Sequence, residues 1–120
     1  MTDNTPQLNL ITIKSTGINK CADFYSLLGL KFIKHRHGQG PEHYASENNS
    51  FVFEIYPADT SDSTENVVRM GFIIKNLDKI IDILRKEKVI ILTEPQDSPW
   101  GRRAVVLDTQ NNRVELVEVR

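Results

Sequence analysis

The feature that most constrains this chain is that it is written twice. Leu10-Ile11-Thr12-Ile13 lies over Arg69-Met70-Gly71-Phe72, Ile18-Asn19-Lys20 over Leu77-Asp78-Lys79, Asp23 over Asp82, and Val52-Phe53-Glu54-Ile55 over Arg113-Val114-Glu115-Leu116. The offset between matched positions stays nearly constant, which is the mark of an internal repeat of about half the chain. Each half reads strand, helix, then three strands. Neither half alone buries both its sheet face and its helix, so the two are expected to pair. The expected architecture is α+β, with two βαβββ modules whose curved, mostly antiparallel sheets form a cleft and whose helices lie outside. The modules span 8–57 and 67–119 of one domain over 1–120, and residues 58–66 (ADTSDSTEN) have the composition of a linker.

Local patterns supply the elements. Leu8–Lys14 alternates and is β-branched, so it reads as a strand. Thr16 is placed to cap a helix bearing Ile18, Cys21, Ala22, Tyr25 and Leu28, which Gly29 ends. Strands are expected over 30–35, 43–46 and 51–56, with a turn at His37-Gly38-Gln39-Gly40-Pro41. In the second half a strand over 67–75 leads to Asn76 as cap and to a helix with Leu77, Ile80, Ile81 and Leu84 on one stripe. Strands follow at 89–92, 103–107 and 113–119, with 93–101 expected as a loop because it holds two prolines.

The composition limits function. With 39% hydrophobic and 26% charged residues the chain is an ordinary globular one. A net charge of −1 argues against nucleic acid, which needs a basic surface to displace counterions. No apolar run is long enough to span a bilayer, and the polar start MTDNTPQ has no signal-peptide core, so a cytoplasmic protein without membrane contact is expected. The single cysteine, Cys21, excludes an intrachain disulfide and reads as a small packing residue of the first helix.

Strand alternation assigns the faces. Phe51, Phe53 and Ile55 take the helix side, as do Val114 and Leu116, which turns Glu54 and Glu115 the other way. The first strand of each half adds Leu10 and Arg69 to that concave face. A carboxylate on an apolar strand needs a partner if buried. Arg69 either sits between the two glutamates as that partner or extends to solvent over an open cleft. The three histidines, His35, His37 and His43, fall in one hairpin and read first as a solvated face; the alternatives are a transition-metal site at His35 and His37, and His43 alone reaching the cleft as an acid–base or hydrogen-bonding group. Tyr56 and Trp100 are candidates for stacking a planar ligand, and Arg102 or Arg103 for meeting an anionic one.

Three stretches, Asp23-Phe24-Tyr25-Ser26-Leu27-Leu28-Gly29-Leu30, Trp100-Gly101-Arg102 and Asp108-Thr109-Gln110-Asn111-Asn112-Arg113-Val114-Glu115-Leu116, resemble the vicinal oxygen chelate superfamily of glyoxalases, bleomycin-resistance proteins and extradiol dioxygenases. Thr109 and Asn111 stand where the family's turn carries proline and glycine. The resemblance implies the glyoxalase/bleomycin-resistance fold and a homodimer. It also implies, for metal-dependent members, His, Glu or Gln at the four inward positions. Here Glu54 and Glu115 match and would be the metal ligands if one were held. Leu10 has no donor, and the guanidinium of Arg69 stays protonated, so no cofactor is expected and a divalent metal is disfavoured. The expected function is binding of a small organic molecule, similar to the bleomycin-resistance type. The alternatives are a glyoxalase-like lyase or isomerase using Glu54 or Glu115 as general base with His43 or Arg69 beside it, and a module without ligand kept for dimeric assembly.

Overall fold

The computed structural model describes residues 8–59, 68–99 and 101–119. The element order is β1 (Leu10–Ser15), α1 (Ile18–Leu27), β2 (Ile33–His35), β3 (His43–Asn48), β4 (Phe51–Pro57), β5 (Arg69–Ile73), α2 (Leu77–Lys86), β6 (Ile91–Ser98), β7 (Gly101–Leu107) and β8 (Arg113–Glu118). The repeat therefore folds as two βαβββ modules, each with one four-stranded sheet, ordered β1-β4-β3-β2 and β5-β8-β7-β6. The two crossovers through the helices make β1–β4 and β5–β8 parallel, and every other pairing is antiparallel.

Each helix lies on one face of its own sheet, and α1 also touches α2. One apolar cluster runs through both modules, from Ile13, Phe24, Tyr25, Phe53 and Ile55 to Met70, Leu77, Leu84, Val106 and Leu116. Tyr25 is its centre: its ring meets Phe24 and Phe53 edge-on, each at 4.8 Å, and tilts against Phe72 of the second module at 6.0 Å. Rings of this size dominate core energetics because each removes a large apolar area from water.

A polar lock seals the same junction. Asp108, on the β7–β8 turn, accepts hydrogen bonds from Tyr25 Oη (2.6 Å), Gln110 N, Asn112 N and Asn112 Nδ2 (2.8 Å each). Asn112 Oδ1 in turn accepts from Val68 N at 2.9 Å. Asn111 holds the left-handed turn position at φ 66°, the role expected of it in place of glycine.

Several local expectations are corrected. Thr16 does not cap α1; Gly17 holds the cap position, its amide donating to Ser15 Oγ at 3.0 Å, and no side chain makes a cap bond to the helix. Asn76 stands at the cap position of α2, but in a left-handed conformation and without a side-chain bond. The amide of Leu77 is met instead by Glu118 Oε1 at 2.6 Å, a long-range substitute for a local cap. Residues expected as a loop, 93–98, continue β6 to Ser98. Pro95 is tolerated because β6 is an edge strand whose register with β7 shifts on both sides of Thr93. The strand expected at 30–35 shortens to Ile33–His35, and Val67 lies outside the described residues.

Candidate ligand cleft

Cross-strand register builds the face opposite the helices. On the first sheet Thr12, Glu54, Ala45 and Ile33 form one row, and Lys14, Tyr56, His43 and His35 the next. On the second, Gly71, Glu115 and Val105 form one row, and Ile73, Val117 and Arg103 the next. The facing inferred for Glu54 and Glu115 is the one observed, since Phe53 and Ile55 are buried on the helix side, as are Val114 and Leu116.

The two glutamates differ in their partners. Glu115 is held by Arg103, whose Nε and Nη2 reach Oε1 at 2.7 and 2.5 Å. Arg69 stands off, with Nη2 4.0 Å from the same oxygen and its side chain about half exposed. The expected placing of Arg69 between both glutamates is therefore not what the structure has, since Glu54 and Glu115 sit on separate sheets. Glu54 accepts a hydrogen bond from Thr12 Oγ1 at 2.9 Å and faces His43 Nε2 at 3.8 Å.

His43 is almost fully buried, with its ring parallel to Tyr56 at 4.0 Å. Its Nδ1 lies 3.3 Å from the carbonyl of Pro41. Its Nε2 is the buried side-chain polar atom without a hydrogen bond among the described residues. Beside it stand His37 and His35, ring centroids 5.1 and 5.9 Å away. Burial is strong enough here that an unmet polar atom needs an explanation.

Other inferred residues fall elsewhere. Leu10 is half exposed on the edge strand β1. Arg102 is turned to the α2 side, where it pairs with Asp78 and Asp97 at 3.1 Å, so it does not line the concave face; its neighbour Arg103 does. Trp100 lies outside the described residues. Sequence reading missed Thr12 as a partner of Glu54 and weighed Arg103 only for an anionic ligand. Alternation puts both on the right face, and only register brings them to the carboxylates.

Two hollows are relevant. A shallow one of about 490 Å³ is lined by Ser98, Arg103, Glu115 and Val117 and does not include Glu54. An apolar one of about 480 Å³ lies between the modules, walled by Ile11, Leu30, Phe53, Met70 and Phe72 with Arg69 at its rim.

The metal position that this fold offers does not fit these residues. Of its four inward places, Leu10 donates nothing, Arg69 is a cation, and Glu115 is already neutralised by Arg103. As the side chains stand, no three metal-binding groups among the described residues converge on one point.

Comparison with known proteins agrees with the architecture. The family model described as Glyoxalase/Bleomycin resistance protein/Dioxygenase superfamily matches residues 7–116. No curated protein matches the sequence. Among solved structures, TnmS3, an antibiotic binding protein from Streptomyces sp. CB03234, is 17% identical, covering 99% of this chain and 100% of that one with a TM-score of 0.76. The oxidase ChaP-H2 is 16% identical over 97% and 95% of the two chains, TM-score 0.75. TioX from Micromonospora sp. ML1 is 13% identical over 96% and 100%, TM-score 0.73. At these identities the likeness is one of fold.

Proposed function

This chain belongs to the Glyoxalase/Bleomycin resistance protein/Dioxygenase superfamily, and from that premise we propose that it binds a small organic molecule on its concave face without the metal of the usual four positions. The observation that carries this reading is the pairing of Glu115 with Arg103 at 2.5 Å beside a cationic Arg69, which leaves no open donor set on the second sheet. Glu54, Tyr56 and His43 supply an acceptor and a flat aromatic wall on the first. The antibiotic-binding description of TnmS3, a protein of the same fold, supports a small-molecule ligand.

A second copy of the chain completes the cleft in this proposal. Among the described residues no strand of one sheet is hydrogen-bonded to the other, and both open edges carry exposed apolar side chains on the concave side, Leu10 on β1 and Ile73 on β5. The Cα radius of gyration, 15.4 Å, exceeds the roughly 13.6 Å of a compact chain of this length. A dimer would bury these edges and bring the two kinds of sheet together. No helix among the described residues is long and apolar enough to cross a membrane. The reading places the protein in the cytoplasm, and a single buried free thiol is compatible with that.

A lyase or isomerase is favoured by one observation: among the described residues Glu54, unlike Glu115, has no arginine or lysine bonded to it and faces His43 instead. It would take a proton next to a carbonyl, with His43 beside it. The test is a thermal-shift screen of small aromatic and polycyclic compounds, with sedimentation of the free and bound protein. A hit weakened at least tenfold in Tyr56→Ala and in Glu54→Gln supports binding at this face. Hits indifferent to both variants, or a monomer at all concentrations, would sink the shared-cleft reading. Conversion of a hit, lost in Glu54→Gln, would decide for the enzyme.

A further inference from the structure

We propose that the hollow of about 480 Å³ between the modules is a second binding site, one that takes an amphipathic monocarboxylate, an apolar body carrying a single carboxylate. It lies on the helix side of the first sheet, and among the described residues that line it there is none of Glu54, Tyr56 and His43 from the concave face.

The hollow exists because the first helix is too short for its sheet. The ten residues of α1 span about 15 Å, whereas the seven residues of β4 span about 23 Å. The part of the apolar face left over carries Ile11 and Phe51, and β5 faces it with Met70 and Phe72. The rings of Phe53 and Phe72 stand 6.3 Å apart across the junction. Ile11, Phe51 and Phe72 are only partly buried, so packing between the modules leaves apolar surface for a ligand. A volume of 480 Å³ is that of about sixteen water-sized groups, which suits a body of about a dozen non-hydrogen atoms below an open mouth.

The rim is cationic. Arg69 is the one charged side chain among the described residues that line the hollow. Its Nη2 is 4.0 Å from a Glu115 oxygen that Arg103 already holds, and among the described residues its guanidinium makes no hydrogen bond. A single guanidinium matches one carboxylate in charge and in fork geometry, whereas a phosphate dianion calls for a second cation. The edge of β5 adds a donor. Ile74 N donates to Val117 O and Arg113 N to Val68 O, so Val68, Met70, Phe72 and Ile74 turn their backbone groups towards β8. Arg69 and Gly71 turn theirs the other way, to an edge with no neighbouring strand. Gly71 has no side chain to cover that edge, and it lines the hollow beside Arg69. An unpaired amide next to a guanidinium is a pair of donors that one carboxylate satisfies. The dimer proposed above meets the strand edges through Leu10 and Ile73 on the concave side, so the two proposals use different faces.

The test is titration calorimetry of the full chain with decanoate below its micelle concentration, and circular dichroism checks that each variant is folded. The expected result is one decanoate per chain, with decanol bound about tenfold more weakly. Arg69→Ala should weaken decanoate about tenfold and leave decanol unchanged. Octanoate, shorter by two methylenes, should bind at least about threefold more weakly than decanoate. Ile11→Trp fills the hollow and should abolish binding. Tyr56→Ala and Glu54→Gln should leave decanoate binding as it is, which separates failure of this site from failure of the concave-face reading. The head-group and chain-length comparisons use the unaltered chain, so they decide the matter even where Ile11→Trp does not fold. Absence of saturable heat at millimolar decanoate overturns the proposal, and so does equal affinity for decanol. Binding lost in Tyr56→Ala but kept in Arg69→Ala moves the acid to the concave face and overturns it equally. Affinity that weakens as protein concentration rises, with a matching change in sedimentation, gives the hollow to a second copy and also overturns it.

Discussion

Tyr25 on α1 donates a hydrogen bond of 2.6 Å to Asp108 on the β7–β8 turn, and this contact ties the two modules together where their apolar cores meet. It also gives a physical meaning to two motifs that look unrelated in the chain, the aromatic end of the first helix and the Asp-rich turn of the second module. Burial and the Asp108 carboxylate push the Tyr25 hydroxyl far above the usual phenol range, so it remains a donor. Tyr25→Phe removes the donor but leaves Asp108 three others. A hydrogen bond to a charged group contributes about 1.5–3 kcal/mol. The variant should therefore unfold several degrees earlier, and Asp108→Ala earlier still, in thermal melts.

Stability should fall at alkaline pH. Burial raises the Cys21 thiol to about 11 from its ordinary 9.0, and Tyr25 is raised as well. A raised folded-state value means the unfolded chain loses its proton first. The Cys21 contribution is complete below pH 9 and is lost as pH climbs from 9 towards 11, a loss on the order of 3 kcal/mol. Urea midpoints measured from pH 7 to 11 should drop over that window, and Cys21→Ala should flatten the drop. At pH 8 the native thiol should resist a disulfide reagent that modifies it in urea.

The Glu115 partner can be read by comparing two arginines. Arg103 makes both short contacts and is partly buried, whereas Arg69 is about half exposed and 4.0 Å away. Arg103→Ala should lower stability by about 1 kcal/mol or more, and Arg69→Ala by less than about 0.5 kcal/mol. Equal losses in urea denaturation would return Arg69 to the role of partner.

Gly101 begins β7 at φ 131°, and a Cβ there would lie 2.4 Å from the backbone oxygen of Glu118. A backbone atom cannot swing aside as a side chain can. Gly101→Ala should lower stability by about 2 kcal/mol or more, and it should also disturb Glu118, whose carboxylate caps α2. A smaller loss than that of an exposed helix glycine substitution, read from the urea midpoint, would count against the close approach.

Much of the architecture was written in the chain. The doubled βαβββ order, the stripe on α2, the left-handed Asn111 and the facing of Glu54 and Glu115 all follow from local periodicity and turn chemistry, because those depend on residues a few places apart. The partners did not follow, because they depend on register between distant strands. Glu115 sits opposite Gly71 on one side and Val105 on the other, so Arg69 and Arg103 are both diagonal neighbours, one from each flanking strand. Alternation cannot weigh two such candidates, and tertiary packing chose Arg103. In the same way Glu118 replaced Asn76 as the cap of α2, and Pro95 entered a strand because that strand lies at an edge. The three histidines were visible in one hairpin, but only the folded pairing of β2, β3 and β4 buries His43 and sets its Nε2 3.8 Å from Glu54.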